Sequence, residues 1–210
     1  MITEDVILSS PTASCKDATF DISDDVALVN RVQNDDATAF DILVNKYRSR
    51  LFSVIYNMTS NKDDAFDITQ DVFIKAYRGI KNFNKKSSFF SWIYRIAINA
   101  SLSHIKRTKL RRFFSLENID ESGDYQFTFD GVTDSNDANR STFLKELQEN
   151  LNIALQKLSN KHRAVVVLCE IEGLSSSEAA SILKCSEGTV RSRLHYAKEQ
   201  LKLHLHDYLR

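Results

Sequence analysis

The 210-residue chain has little of what interrupts or cross-links a fold, with five glycines, one proline and three cysteines. So few helix breakers exclude a collagen-like chain and favour long regular elements. Cys15, Cys169 and Cys185 are not clustered and give neither a disulfide framework nor a CxxC metal pair, which predicts a reducing, cytoplasmic location. No apolar run approaches the roughly 18 residues of a membrane span. The first ten residues lack the basic and apolar segments of a secretory signal, so we expect no insertion into a membrane.

Net charge is also absent, because 28 Lys and Arg balance 28 Asp and Glu. The charges are nevertheless separated along the chain. Residues 72–112 contain 11 basic and no acidic side chains, whereas residues 113–137 contain seven acidic and no basic ones. A basic block interleaved with aromatic residues is typical of a phosphate-binding surface, and the alternative is an ordinary solvated basic face.

Helical spacing of the apolar residues predicts an all-α protein with two small helical domains. The spacing stops in a segment rich in Ser, Asn, Asp and Gly and returns after it. We therefore predict a flexible tail at 1–23, a first domain at 24–112, a flexible acidic linker at 113–143 and a second domain at 144–210.

The second domain has the pattern of a helix-turn-helix. Ser175 and Glu178 are spaced as a capping box, and Ser186 is placed to cap a further helix after a short turn. That helix has one apolar stripe and displays Arg and Ser near its start, as a helix that enters the major groove of DNA does. An αα-hairpin with a solvated basic face has the same spacing.

A helix predicted between Asn61 and Gly79 carries aligned carboxylates. We expect Gly79 to end it in the left-handed conformation, and Asp64, Asp67 and Asp71 to line one face. Such a face is either a solvated surface or a docking face for a basic partner. The apolar contributors of this helix are Phe66, Val72, Phe73, Ala76 and Tyr77.

The next predicted helix, which starts at Ser87 or Ser88, has two stripes. One is apolar and predicts core packing. The other consists of Trp92, Arg95, Asn99, Ser103 and Lys106. An indole, an amide and cations without a neighbouring acid suit single-stranded nucleic acid, because bases stack on aromatic rings and cations bind phosphates. Most aromatic residues in small helical domains pack in a core, and Trp92 is open to either interpretation.

Four segments, taken in order, resemble the extracytoplasmic-function (group 4, RpoE-like) sigma factors of the sigma-70 family. They are residues 34–41 (NDDATAFD), 66–77 (FDITQDVFIKAY), 90–99 (FSWIYRIAIN) and 187–193 (EGTVRSR). The resemblance spans about residues 24–112 and 144–204. It implies a stress-responsive transcription initiation factor of bacterial RNA polymerase, with regions 2 and 4 in the two domains. Such a factor directs core polymerase to promoters and nucleates melting of the −10 element.

The resemblance also implies roles for individual residues. Those expected to bind core RNA polymerase are Asp67, Gln70, Asp71, Phe73 and Lys75. Those expected at −10 DNA are Phe83, Lys85, Lys86, Ser88, Trp92, Tyr94, Arg95, Asn99, which would hold a flipped base, and Lys106. Those expected at −35 DNA are Ser186, Thr189, Arg191, Ser192, Arg193, His195 and Tyr196. The family further implies an anti-sigma factor as a partner, and a linker that threads toward the polymerase active centre.

A conventional helix-turn-helix regulator with an N-terminal helical sensor domain is the alternative. It would bind duplex DNA without polymerase, and it leaves the acidic face and the aromatic–basic helix unexplained. No enzyme is expected, because the sequence has no carboxylate cluster beside a His, no nucleophile–base pair and no phosphate-binding Gly loop. No catalytic residue, cofactor or metal is predicted. DNA-contacting faces divided between two domains predict weak DNA binding by the free protein.

Overall fold

The structure, a computed structural model, describes residues 22–116 and 138–205. Every regular element within these ranges is helical, as predicted. The N-terminal half contains α1 (Ile22–Gln33), α2 (Ala37–Thr59), α3 (Lys62–Gly79), a 3₁₀ turn (Ile80–Asn82) and α4 (Phe89–Leu116). The C-terminal half contains α5 (Ala138–Lys157), α6 (Asn160–Val166), a π turn (Val167–Ile171), α7 (Ser176–Leu183) and α8 (Glu187–Leu205).

Short polar side chains start the helices where the sequence predicts them. Asn61 caps α3 by accepting a hydrogen bond from the Asp64 backbone N–H at 2.9 Å. The hydroxyl of Ser88 accepts from the Ser91 N–H at 3.1 Å, and α4 begins at the next residue. These bonds satisfy amide groups that have no partner within the first turn of a helix.

Gly79 ends α3, but the prediction of a left-handed conformation is wrong. Its φ is −90°, because the chain continues into the 3₁₀ turn without reversing. A Cβ at this position would lie 3.3 Å from Cζ2 of Trp92. The glycine therefore leaves room for the indole rather than supplying a positive φ.

Helices extend into both ends of the predicted linker and into the predicted tail. Helix α4 ends at Leu116, α5 begins at Ala138 and α1 begins at Ile22. No glycine or proline lies between residues 80 and 122 to stop α4, so the helix continues past its last apolar stripe. The rest of the acidic linker (117–137) and the rest of the tail (1–21) lie outside the described residues.

The two halves share one hydrophobic core, which the sequence did not predict. Helix α4 packs against α7, and α2 packs against α5 and α6. The shared cluster includes Leu43, Val54 and Ile93 from the N-terminal half and Val165, Leu168, Ala179 and Ile182 from the C-terminal half. A smaller cluster joins α5, α6 and α8 through Leu155, Leu158, Val166 and Ala197.

A buried arginine also joins the two halves. Arg163 is 2% exposed and donates to the carbonyl oxygen of Met58 in α2 at 2.6 Å. It also donates to the carbonyl oxygens of Leu155 and Gln156 in α5, at 2.8 and 2.9 Å. Burial lowers its pKa to about 10, so the guanidinium is charged at neutral pH. Its charge lies at the C-terminal ends of α2 and α5, where helix dipoles favour a cation.

Candidate nucleic-acid interface

The predicted nucleic-acid stripe of α4 lies partly at the surface. Asn99 and Lys106 are exposed, and Trp92 and Arg95 are half-buried. Lys85 and Lys86 are exposed in the loop that precedes the helix, and Ser88 is half-buried at the cap. An amide, an indole and several cations therefore lie along one side of this helix and its preceding loop.

Helix α1 holds the loop before α4 in place. The side-chain amide of Gln33 donates to the carbonyl oxygens of Ile80 and Phe83 at 2.8 and 2.9 Å. The ammonium of Lys85, which has a φ of 57°, donates to the side-chain oxygen of Asn30. Gln33 and Asn30 were not predicted, because they lie about 50 residues earlier and only the fold brings them to the loop.

Three aromatic rings form a cluster under this loop. The Phe83 ring stacks on Trp92 with centroids 4.8 Å apart, and Phe89 contacts both rings. Phe83 is 8% exposed, so it mainly positions the indole and shows little of its own ring to the surface. Trp92 thus both packs against the core and reaches the surface, which answers the question that the sequence left open.

A polar cavity of about 500 Å³ opens beside this cluster. Trp92 supplies its aromatic surface, and Lys86 and Arg95 supply positive charge. The remaining lining residues are Asn82, Phe83, Asn84, Ser87 and Ser181. Rings and cations at the edge of a cavity are the groups that bind an unpaired nucleotide.

The C-terminal half covers part of the predicted −10 surface. Tyr94 is fully buried, and its hydroxyl donates to Oε2 of Glu172 at 3.0 Å. The Nη2 atom of Arg95 donates to the carbonyl oxygen of Ser181 in α7 at 3.1 Å. Tyr94 also packs on Phe90 within the N-terminal half, so it is inaccessible to DNA in this structure, contrary to its predicted DNA contact.

The acidic face of α3, formed by Asp67, Gln70 and Asp71, is exposed. Lys75 is exposed further along the helix. Asp64, predicted on the same face, instead pairs with Nε2 of His104 in α4 at 3.0 Å.

Three aromatic residues of α3 are placed differently from the prediction, which had Phe73 in contact with core polymerase and Phe66 and Tyr77 on the apolar side of the helix. Phe73 is 9% exposed and packs edge-on against Phe40, so it supports the acidic face from inside and is not itself available to a partner. Phe66 and Tyr77, expected to be apolar contributors, are 58% and 50% exposed, because they lie toward the solvent side of the helix. The surface beside the acidic face is therefore partly apolar.

The helix-turn-helix pattern is confirmed in α7 and α8. Ser175 and Glu178 form the capping box. The turn reverses at Lys184, whose φ is 51°. The hydroxyl of Ser186 then caps α8 by accepting from the Thr189 N–H at 3.1 Å. Ser186 and Thr189 also share a hydrogen bond of 2.8 Å between their hydroxyls, so both already serve the cap.

The outer face of α8 carries the residues predicted to contact −35 DNA. Arg191, Ser192, His195 and Tyr196 are exposed, and Arg193 is half-buried. Arg191 forms an ion pair with Glu187 one turn earlier. Opposite this face, Val190 and Ala197 are buried against the rest of the half, which leaves the basic face open to solvent.

Neither a metal-binding group nor a membrane span is found in the described ranges. Among residues 22–116 and 138–205, no group of three or more His, Cys, Asp or Glu is arranged to hold a metal ion. Within the same ranges, no helix has the length and apolar character needed to cross a membrane.

Comparison with known proteins matches each half to a region of one protein family. The Sigma-70 region 2 family matches residues 43–111, and the Sigma-70 region 4 family matches residues 149–201. The RNA polymerase sigma-H factor of Pseudomonas aeruginosa is 34% identical over 186 residues, covering 89% of this chain and 96% of that protein. The ECF RNA polymerase sigma-E factor of Haemophilus influenzae is 32% identical, covering 85% of this chain and 93% of that protein.

A solved structure has the same fold. It is the sigma factor RpoE in complex with the anti-sigma factor NepR from Bartonella quintana. Its likeness covers 79% of this chain and 96% of that chain, with 25% sequence identity and a TM-score of 0.59.

The fold and the two matched regions define a sigma-70-type transcription initiation factor. More narrowly, the chain belongs to the extracytoplasmic-function group of RNA polymerase sigma factors. Its function is that of the group, which is to direct RNA polymerase to promoters.

Proposed function

We propose that the two halves divide promoter recognition between them. The N-terminal half melts and holds the −10 element through α4 and its preceding loop, and the C-terminal half reads the −35 element through α8. The observation that carries this proposal is the presence of one basic, partly exposed face on each half, in the two segments that match regions 2 and 4.

The chemistry of the α4 surface fits an unpaired strand. Trp92 offers a ring on which a base can stack, and stacking contributes about 1–3 kcal/mol per base. Asn99 is exposed on the same side of the helix and offers an amide that can donate to and accept from a flipped base. Lys85, Lys86 and Lys106 supply charge for the phosphates.

The chemistry of the α8 surface fits duplex DNA. Arg191 and Arg193 lie in the first two turns of a helix that begins at a capped N-terminus. Arginine donates in pairs to guanine or to phosphate, and helices of this kind contact base edges with their first turns. His195 and Tyr196 extend the same face by one turn.

The acidic face of α3 supplies the docking surface for core polymerase. Asp67, Gln70 and Asp71 are exposed on it, and exposed Phe66 lies beside it. A charged face next to an apolar ring has the composition of a protein–protein contact, in which charge steers the encounter and the ring is buried.

We infer three further properties. The chain acts as a binding subunit and not as an enzyme. It works in the cytoplasm, where RNA polymerase transcribes. It is also held inactive by an anti-sigma factor, which the likeness to a sigma factor bound to NepR supports.

Run-off transcription tests the proposal. Core polymerase with the wild-type protein should give transcripts from defined start sites, and core alone should not. Failure with several bacterial core preparations would contradict the proposal, whereas tight duplex binding without polymerase would favour a conventional regulator.

The docking surface is tested in the same reactions. Changing Asp67→Lys and Asp71→Lys together should abolish co-purification with core polymerase while circular dichroism stays unchanged. The matched control is Asp24→Lys with Asp41→Lys, two exposed carboxylates outside α3. If both double variants co-purify with core polymerase as the wild type does, the acidic face is an ordinary solvated surface.

A further inference from the structure

Tyr196, on the outer face of α8, packs against a residue of another helix. Its ring contacts the imidazole of His162 in α6, with the ring centroids 5.0 Å apart and the planes tilted by 45°. This separation lies within the range of about 4.5–7 Å in which ring pairs are favourable. Tyr196 is still 54% exposed, so part of its ring rests on His162 and the rest is open to a ligand.

His162 belongs to a turn that is itself anchored. The Ser159 hydroxyl caps α6 by accepting from the backbone N–H of His162 at 3.4 Å. The next residue, Arg163, donates to the carbonyl oxygens of Leu155 in α5 and Met58 in α2. The first turn of α6 is therefore fixed, and the half-buried imidazole gives Tyr196 a rigid surface to pack against.

The backbone of Tyr196 is fixed as well. The next residue, Ala197, is fully buried in the cluster that joins α6 and α8. Lys198 pairs with Glu170 at 2.8 Å, but these side chains are 48% and 42% exposed, so the ion pair contributes little. The freedom left to Tyr196 is rotation of its side chain, and the ring of His162 restrains that rotation.

Tyr196 lies further along α8 than the arginines. The helix begins at Glu187 and rises about 1.5 Å per residue, which places Tyr196 about 14 Å from its start. Helices of this kind contact base edges mainly with their first turns. Arg191 and Ser192 therefore meet the middle of a site, and Tyr196 meets one end of it, where a ring can pack on an apolar base edge such as the methyl group of thymine.

We propose that His162 is a positioning residue for −35 recognition, which holds the Tyr196 ring in the orientation that contacts a base at one end of the element. This inference rests on the proposed function, because it takes α8 as the helix that reads the −35 element. A side chain already held in its bound orientation loses less conformational freedom on binding. His162 acts through Tyr196 and does not itself touch DNA.

A selection on randomised promoters tests the inference. The full-length protein and core polymerase transcribe a promoter that the wild-type holoenzyme uses, with its −35 region randomised and a transcribed barcode that identifies each template. Sequencing then gives the base preference at each position. His162→Ala should reduce the preference at one end of the element by about two- to threefold, because a freed ring divides its time among the staggered rotamers.

Two variants provide the reference profiles. Arg191→Ala identifies the positions read by the first turns of α8, and His162→Ala should leave the preference at those positions unchanged. The matched control is His204→Ala, which removes the same side chain from a half-buried position in the last turn of α8. It should leave the preference unchanged at every position.

Two more variants separate positioning from a direct DNA contact. In a Tyr196→Ala background, His162→Ala should have no further effect, since no ring is left to hold. His162→Phe keeps a ring at the same place without the imidazole nitrogens, so it should retain the wild-type preference. If circular dichroism shows that His162→Ala is unfolded, His162→Gln, which also lacks a ring, takes its place.

Three results would overturn the inference. The first is an unchanged preference at every position in His162→Ala. The second is a loss that persists in the Tyr196→Ala background or that His162→Phe does not restore, since His162 would then contact DNA itself. The third is an equal loss at all positions, as damage to the packing of α6 on α8 would produce. A wild-type holoenzyme that selects no −35 sequence would instead contradict the proposed function, so the two failures are distinguishable.

Discussion

The two helices proposed to contact DNA present their faces in different ways. On α8 the proposed contact residues Arg191, Ser192, His195 and Tyr196 are exposed. On α4, Tyr94 is fully buried and Arg95 is engaged by α7. Each helix buries one side in the core of its own half, and α4 also packs against α7 of the other half. Exposure of a recognition residue is therefore set by the elements packed around its helix, and the pattern of the helix alone does not reveal it.

The largest effect is expected from removing Arg163, the arginine that joins the two halves and so holds the C-terminal half against the N-terminal half. Arg163→Ala would leave several buried carbonyl oxygens without a donor, and we expect it to lower the free energy of unfolding by about 3 kcal/mol or more. Urea unfolding followed by circular dichroism measures the loss. Lys161→Ala, two residues earlier and exposed, is the control and should shift the midpoint little. Equal shifts would mean that Arg163 contributes nothing beyond an ordinary surface cation.

Promoter melting is proposed for the α4 face alone, and Asn99 is the residue expected to hold the flipped base. Asn99→Ala should reduce open-complex formation by about tenfold, because a base-reading contact contributes about 1–3 kcal/mol, and it should leave binding to core polymerase unchanged. Permanganate reactivity of unpaired thymines measures melting, and co-purification measures polymerase binding. The control is Asn45→Ala, an exposed amide on α2. Equal loss of melting and of polymerase binding would refute the base-reading role.

Duplex binding by the free protein tests directly whether α8 is more accessible to DNA than α4. Because α8 is exposed and α4 is covered, Arg191→Ala should weaken duplex binding and reduce the slope of log K against log salt by about 0.9. Arg95→Ala should change neither quantity, because Arg95 is engaged by Ser181. Anisotropy titrations at several salt concentrations measure both. A larger effect from Arg95→Ala than from Arg191→Ala would contradict the claim that α8 is more accessible to duplex DNA than α4.

The smallest expected effect concerns pH. Burial raises the pKa of the Glu172 carboxyl, against the opposing influence of Tyr94 and Arg50. A raised pKa means that the folded form favours the neutral acid. Its contribution to stability is therefore present at acid pH and lost as pH rises from the ordinary value near 4.5 through the raised one.

Comparison with Glu172→Gln isolates this titration. The free energy of unfolding of the wild type, relative to that of Glu172→Gln, should fall between pH 4.5 and neutrality, with Arg50 and Tyr94 the charged and titratable neighbours at the contact. Urea titrations of both proteins at a series of pH values provide the measurement. A constant difference across this range would show that the Glu172 titration is not linked to folding.

Much of the fold was predictable because local chemistry fixed it. The Asn61 cap, the Ser175–Glu178 capping box and the Ser186 cap all form as their sequence patterns indicate. Caps depend on residues within one turn of each other, so their signals survive any change of tertiary context. The acidic face of α3 was predictable for the same reason, since helical spacing alone aligns Asp67 and Asp71.

The errors arose where a partner from elsewhere in the chain decides the outcome. Gly79 takes an ordinary φ because the chain continues into the 3₁₀ turn, and its missing side chain leaves room for Trp92. Phe73 turns inward to Phe40, and Phe66 stays outside, although both count as apolar in a helical pattern. Gln33 was missed as the anchor of the loop before α4, because its acceptors lie 47 and 50 residues away.

The sequence by itself determined the helices, their caps, the segregation of charge and membership of the sigma-70 family. It could do so because these depend on spacing within a segment or on motifs in order along the chain. Only the tertiary structure decided which faces meet. Arg163 reaches Met58 across 105 positions, and Tyr94 reaches Glu172 across 78. Such contacts depend on how two separately patterned surfaces fit together, and that fit is what covers α4 and leaves α8 open.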